Sequence, residues 1–162
     1  AETVEAVLCT YFGVPVRLER WVGHWMRLPG GELTRLGSSN ANDASRSLGL
    51  GALMGTQAWD RQHRVRLHLG PLTLSQYREF LPIGSARPAL QRWMQQLLGD
   101  ELEWDAELVL EKVQVPATRL GQRRGNAPRL GWVSWLGDRP RQRDAADVRV
   151  DHRPSPHAAA LQ

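Results

Sequence analysis

The run from Glu2 to Phe12 puts Val4, Val7, Leu8 and Tyr11 at i, i+3, i+4 and i+7. That spacing is one apolar stripe of a helix. Thr3 is the expected cap and Gly13 the expected stop. Val14, Val16 and Leu18 then alternate with Pro15, Arg17 and Glu19, so 14–20 reads as a half-buried strand, with Pro15 marking an edge or a strand start. Val65, Leu67 and Leu69 alternate with Arg64, Arg66 and His68 in a second strand. Thr73 with Gln76 three residues on fits a capping box, and a short helix with Tyr77, Phe80 and Leu81 inward follows, closed at Pro82. Ser85 opens another helix with Pro88 in its first turn, where a missing N–H costs nothing. Leu90, Trp93, Met94 and Leu97 form its stripe, and Gly99 its C-terminal cap.

Leu102 to Val113 carries the strongest strand signal. Leu102, Trp104, Ala106, Leu108 and Leu110 alternate with Glu103, Asp105, Glu107, Val109 and Glu111. If this strand lies beside the 64–69 strand, its acidic row meets the Arg row, and each opposite-charge pair contributes roughly 0.2–1 kcal/mol. Leu130 to Gly137 is expected to be a last strand, after an exposed turn at 122–128.

Two stretches break the pattern. From Gly23 to Gly55 no period holds, and Pro29-Gly30-Gly31 and Ser38 to Asp43 punctuate the segment. Long structureless connections in compact domains are usually functional or disordered. Trp25, Met26, Leu28, Leu33 and Leu36 make this one too apolar for a free linker. From Asp138 to Gln162 large apolar residues are scarce among Arg, Asp, Pro and Ala, so this segment is expected to be a disordered tail. The expected fold class is α+β: a mostly antiparallel sheet with about three helices on one side, one long irregular loop and a disordered C-terminal tail. The expected domain is 1–137 and the tail 138–162.

Composition narrows the function. The chain has 162 residues, enough for a proper core. Mean hydropathy is −0.44, and no apolar run approaches the roughly 18–20 residues of a membrane-spanning helix. No secretory leader is expected, because Ala1–Phe12 has no basic start and carries Glu2 and Glu5. The pI near 10.2 suggests nucleic acid, yet the net charge is only +4. Lys112 is the single lysine among 21 basic residues, and arginine lifts the pI steeply because it keeps its proton to very high pH. Seven Trp residues stand out, a type enriched at interfaces as well as in cores.

Catalytic chemistry finds little support. His63 and His68 are five apart, so one strand would turn them to opposite faces. Cys9 is alone, and no Cys/His cluster offers a metal site. Gly49, Gly51 and Gly55 only mimic a dinucleotide fingerprint: the spacing is too long and no strand precedes it. The acidic row on one strand lacks the unlike environments that split the pKa values of a catalytic pair. No cofactor, metal or catalytic residue is expected. The alternative to a protein-binding module is an Arg-rich nucleic-acid-binding one, although aromatics do not interleave with the Arg clusters at 123–124 and 139–143.

Specific words recur in order: Phe12-Gly-Val-Pro-Val-Arg-Leu-Glu, Gly55-Thr-Gln-Ala-Trp-Asp, Gly70-Pro-Leu-Thr-Leu-Ser-Gln-Tyr-Arg-Glu-Phe-Leu-Pro, Gly99-Asp-Glu-Leu-Glu-Trp-Asp-Ala-Glu-Leu-Val-Leu, Val115-Pro-Ala-Thr-Arg-Leu-Gly and Arg129-Leu-Gly-Trp-Val-Ser-Trp-Leu-Gly. Over about 2–137 they resemble the C-terminal half of the TssG family, also called ImpH or VasB, a baseplate subunit of bacterial type VI secretion. The resemblance implies a structural wedge protein without catalytic activity, in the cytoplasmic baseplate at the inner face of the inner membrane. It implies assembly with TssF, TssE and TssK, and a possible neighbour in the VgrG spike. Family members reach TssK through extended loops. The 23–55 loop offers Trp21, Trp25, Leu28 and Leu36 as anchors, and the 70–84 turn region offers Tyr77 and Phe80.

Overall fold

The computed structural model describes residues 1–31, 33–34, 52, 54–118, 129–137 and 142–152. The elements run α1 (Glu2–Phe12), β1 (Val16–Glu19), β2 (His24–Arg27), β3 (Gln57–Asp60), β4 (Arg64–Leu72), α2 (Leu74–Phe80), α3 (Arg87–Leu98), β5 (Glu103–Leu110), a 3-10 turn (Lys112–Gln114) and β6 (Ala145–Asp151). They form two compact units: Ala1–Arg20 with Val65–Gln162, and Trp21–Arg64.

The larger unit is built on a four-stranded sheet of order β1-β4-β5-β6. β1 pairs antiparallel with β4, and β5 antiparallel with β6. Between β4 and β5 the contacts step along both chains together: Arg66 meets Asp105, His68 meets Glu107, and the Glu111 N–H reaches the Leu72 carbonyl. These two strands therefore run the same way. Parallel neighbours need a crossover of a dozen or more residues, and α2 and α3 supply it. The architecture is the expected α+β.

One face of the sheet is the core. Leu67, Leu69, Ala106, Leu108 and Leu110 are fully buried there, together with Leu8 of α1, Tyr77 of α2, and Leu90 and Met94 of α3. Local signals position the helices as expected. Thr73 and Gln76 form the reciprocal capping box, Pro88 stands in the first turn of α3, and Gly13 and Gly99 stop α1 and α3 at φ 65° and 73°. Thr3 does not cap α1. The helix starts after Ala1 without a side-chain cap, and Glu2 and Glu5 place negative charge in its first turn. α1 also closes the edge of the sheet. Glu5 accepts from the Leu18 N–H at 2.7 Å, and Cys9 Sγ accepts from the Val16 N–H at 3.2 Å. The outer donors of β1 are thus satisfied inside the molecule, which keeps that edge from pairing with another chain.

Three expectations are corrected. Residues 145–151, read as part of a disordered tail, form β6, with Ala145, Val148 and Val150 buried against β5. Residues 130–137 are not a strand: they run through a turn and an extended segment that buries Val133 and Trp135. β6 already occupies the free edge of β5, so no edge is left there for 130–137 to join. The expected irregular loop 23–55 contains a strand: His24–Arg27 pairs antiparallel with Gln57–Asp60. Residues 138–141 and 153–162 of the expected tail lie outside the described residues.

Candidate partner-binding surface

The smaller unit is a two-stranded ribbon. Its register sets His24 opposite Asp60, Trp25 opposite Trp59, Met26 opposite Ala58, and Arg27 opposite Gln57. The Leu28 N–H extends the ladder to the Thr56 carbonyl at 3.0 Å, and the Val22 N–H bonds the Arg64 carbonyl at 3.1 Å. Directly opposed side chains on a strand pair stand close enough to pack. The Trp25 and Trp59 rings accordingly meet edge to face, centroids 5.3 Å apart and planes at 68°. Gly23 lies against Trp59: a Cβ there would stand 2.3 Å from the indole, closer than atoms can pack. Trp21 holds a left-handed backbone, φ 63°, and its carbonyl accepts from Arg61 Nε at 3.3 Å.

The rings are not core. Trp21, Trp25 and Trp59 are 57, 62 and 56% exposed, whereas the other four Trp residues are buried or half-buried in the larger unit. Met26 and Met54 of the smaller unit are exposed as well. Scattered apolar residues on a surface are ordinary, but clustered aromatics mark a contact site.

At the strand ends three chemistry-bearing side chains meet. Asp60 accepts from the His63 N–H at Oδ2 (3.0 Å) and from the His63 Nδ1 at Oδ1 (3.2 Å), and His24 Nδ1 lies 3.8 Å from Oδ2. The His63 backbone bond, foremost, holds the Asp60 carboxyl below its ordinary value. Sequence spacing does not reveal this cluster, because only the β2–β3 register brings His24 beside Asp60. The carboxylate sits between the two rings and fastens the end of the ribbon. Among the described residues no group of three His, Cys, Asp or Glu side chains is arranged to hold a metal ion.

The polar face of the larger sheet pairs its charges. Asp105, 2% exposed, takes Arg66 through both oxygens at 2.6 and 2.9 Å. That hydrogen bond pushes the Arg66 guanidinium up from its ordinary value. His68 lies between Glu19 (2.9 Å) and Glu107 (3.3 Å), and Glu107 also accepts from Arg149 Nε at 2.9 Å. The acidic row meets the basic row as expected from the alternation, through the ion pairs of Asp105 and Glu107. A cleft of about 300 Å³ lies at the end of α3 beside Trp104 and His152, and a shallow apolar groove of about 630 Å³ lies along Tyr11 and Trp93.

The sequence-derived anchors divide. Trp21 and Trp25 are exposed on the ribbon, and Leu28 continues its ladder half-buried. Leu36 lies outside the described residues. Tyr77 and Phe80 are corrected: both are enclosed in the core, at 0 and 2% exposure. The Tyr77 hydroxyl donates to the Trp132 carbonyl at 2.9 Å, and Phe80 packs edge-on against Phe12. Burial pushes the Tyr77 phenol up from its ordinary pKa. Their inward stripe on α2 leaves no surface for a partner. Trp59, opposite Trp25, is the contact candidate that sequence reasoning missed. Leu130 and Leu136 of the larger unit are almost wholly exposed as well.

Comparison with known proteins agrees with this architecture. No match is found among curated proteins. Two solved structures share the fold. One is a chain of the TssK-TssF-TssG baseplate subcomplex of a type VI secretion system, solved by cryo-electron microscopy: 23% identity, TM-score 0.67, covering 97% of this chain and 64% of that one. The other belongs to the baseplate complex of the type VI secretion system: 24% identity, TM-score 0.57, covering 93% of this chain and 41% of that one. The chain thus spans about two-thirds or less of the proteins it matches. The family model for type VI secretion, TssG, matches residues 1–137, and the chain belongs to the TssG family.

Proposed function

We propose that this chain is a structural part of a type VI secretion baseplate and acts by binding neighbouring proteins, with no reaction of its own. Family membership and the fold shared with baseplate chains support the setting. The observation that carries the contact role is the ribbon, where three exposed Trp residues gather on one small unit. TssF and TssK are the partners named with the similar subcomplex, and they are the partners proposed here. TssE and VgrG, and a position at the inner face of the inner membrane, follow from the family setting alone. Ion pairing of Asp105 and Glu107 supports a non-catalytic reading, because those carboxylates serve the sheet.

The test is co-purification of the 162-residue chain with TssK and TssF from the same source. Trp25→Ala is expected to reduce capture of one of them by about tenfold or more, the effect of losing an aromatic anchor. The far-UV spectrum of the larger unit should be unchanged. Equal recovery of both partners with parent and variant would refute the contact role of the ribbon.

A further inference from the structure

The polar face of the larger sheet carries a row of charges that crosses every strand. Glu19 of β1, His68 of β4, Glu107 of β5 and Arg149 of β6 stand side by side along it. Of these side chains, histidine is the type whose charge changes near neutral pH. Both of its ring nitrogens face carboxylates. Nε2 lies 2.9 Å from Glu19 Oε2, and Nδ1 lies 3.3 Å from Glu107 Oε1. A neutral imidazole has one N–H, so it donates to one of these oxygens and turns a lone pair toward the other. The imidazolium has two N–H groups and meets both carboxylates with opposite charge. The His68 and Glu107 side chains are 18 and 12% exposed, so salt screens their contact weakly.

Other charges face the ring. Arg17, exposed on β1, is its direct cross-strand neighbour. Arg66, two residues away on β4, is taken by Asp105 of β5. Arg149 of β6 binds the other Glu107 oxygen. Of all these groups, the two carboxylates are the ones in contact with the ring. We infer that His68 is a proton-operated clamp. Its second proton ties β1 and β5 to β4, and loss of that proton at alkaline pH loosens the polar face of the sheet. The folded row favours the protonated ring, so its support is present at the acid end of the imidazole range and is lost as pH rises through that range. Below about pH 5 carboxylates begin to take up protons themselves, so the clamp works between about pH 6 and 8.

The experiment is urea denaturation of the 162-residue chain at about pH 6, 7 and 8, beside the variants His68→Gln and Glu19→Gln. Glutamine keeps a donor at position 68 but does not titrate. The other histidines are the same in parent and variant, so the difference between them belongs to His68. From pH 8 to pH 6 the folding constant of the parent is expected to rise about three- to tenfold more than that of His68→Gln. Glu19 is 48% exposed, so Glu19→Gln preserves the core and is expected to shrink the rise by removing one of the two carboxylates. A rise as large in either variant as in the parent overturns the clamp. A parent that loses stability relative to His68→Gln on acidification overturns it as well. Should His68→Gln fail to fold, the comparison of Glu19→Gln with the parent decides by the same criterion.

Discussion

Asp105 shows how much one residue can hold. It lies in the sheet between β4 and β6, is 2% exposed, and answers Arg66 through both oxygens. Removing one partner of a buried pair leaves the other charge uncompensated, which costs about 3–5 kcal/mol. Asp105→Ala is accordingly expected to lower stability by about 3 kcal/mol, read by urea denaturation. Tyr77→Phe is a milder change. It removes the hydroxyl bond to the Trp132 carbonyl and leaves that acceptor without its donor, for a loss of about 1–2 kcal/mol. Arg87 is a third such residue, 4% exposed at the start of α3. Burial pushes its guanidinium down from its ordinary pKa while it stacks over Trp104 and donates to the Asp151 carbonyl. None of these pairings is readable from spacing alone. Alternation showed that acids and arginines would face each other, but not which atoms would meet.

At the scale of elements, what was legible was local. The capping box, the glycine stops and the alternation of 102–110 are written in neighbouring residues, and each reappears in the fold. What was not legible depends on partners distant in sequence. β2 and β3 are four residues each, joined by no hairpin turn signal, and neither has a clear period by itself. β6 offers only Val148 and Val150 in alternation among Asp, Arg and Ala, and β5 gives that pattern its meaning. The ribbon yields a pH prediction. The Asp60 carboxyl is held below its ordinary value, so its support is present above the ordinary Asp range, near 3.9, and is lost as pH falls through the lowered value. The circular dichroism band of the coupled Trp25–Trp59 pair is expected to hold from neutral pH down to about 4 and to fade below that. A band that fades well above pH 5 would deny Asp60 this role.

The whole molecule extends past its family boundary. The family match ends at 137, yet β6 completes the sheet at 145–151. A chain shortened to 1–137 loses Ala145, Val148 and Val150 from the core and uncovers the full edge of β5. Each buried valine contributes roughly 1.5–3 kcal/mol, a large share of a marginal stability. The shortened chain is therefore expected to aggregate or to melt far earlier than the 162-residue chain, as scattering and thermal denaturation would reveal.

The order of the strands has a temporal consequence. On the ribosome β5 emerges well before β6, with all of 111–144 still to come. α1 can already shield the opposite margin at β1, while the margin at β5 stays open with its backbone donors and acceptors bare. That interval is when a nascent chain is most prone to join a neighbour on the same message. A chaperone or an early-arriving assembly partner would be of greatest use to this protein during that window.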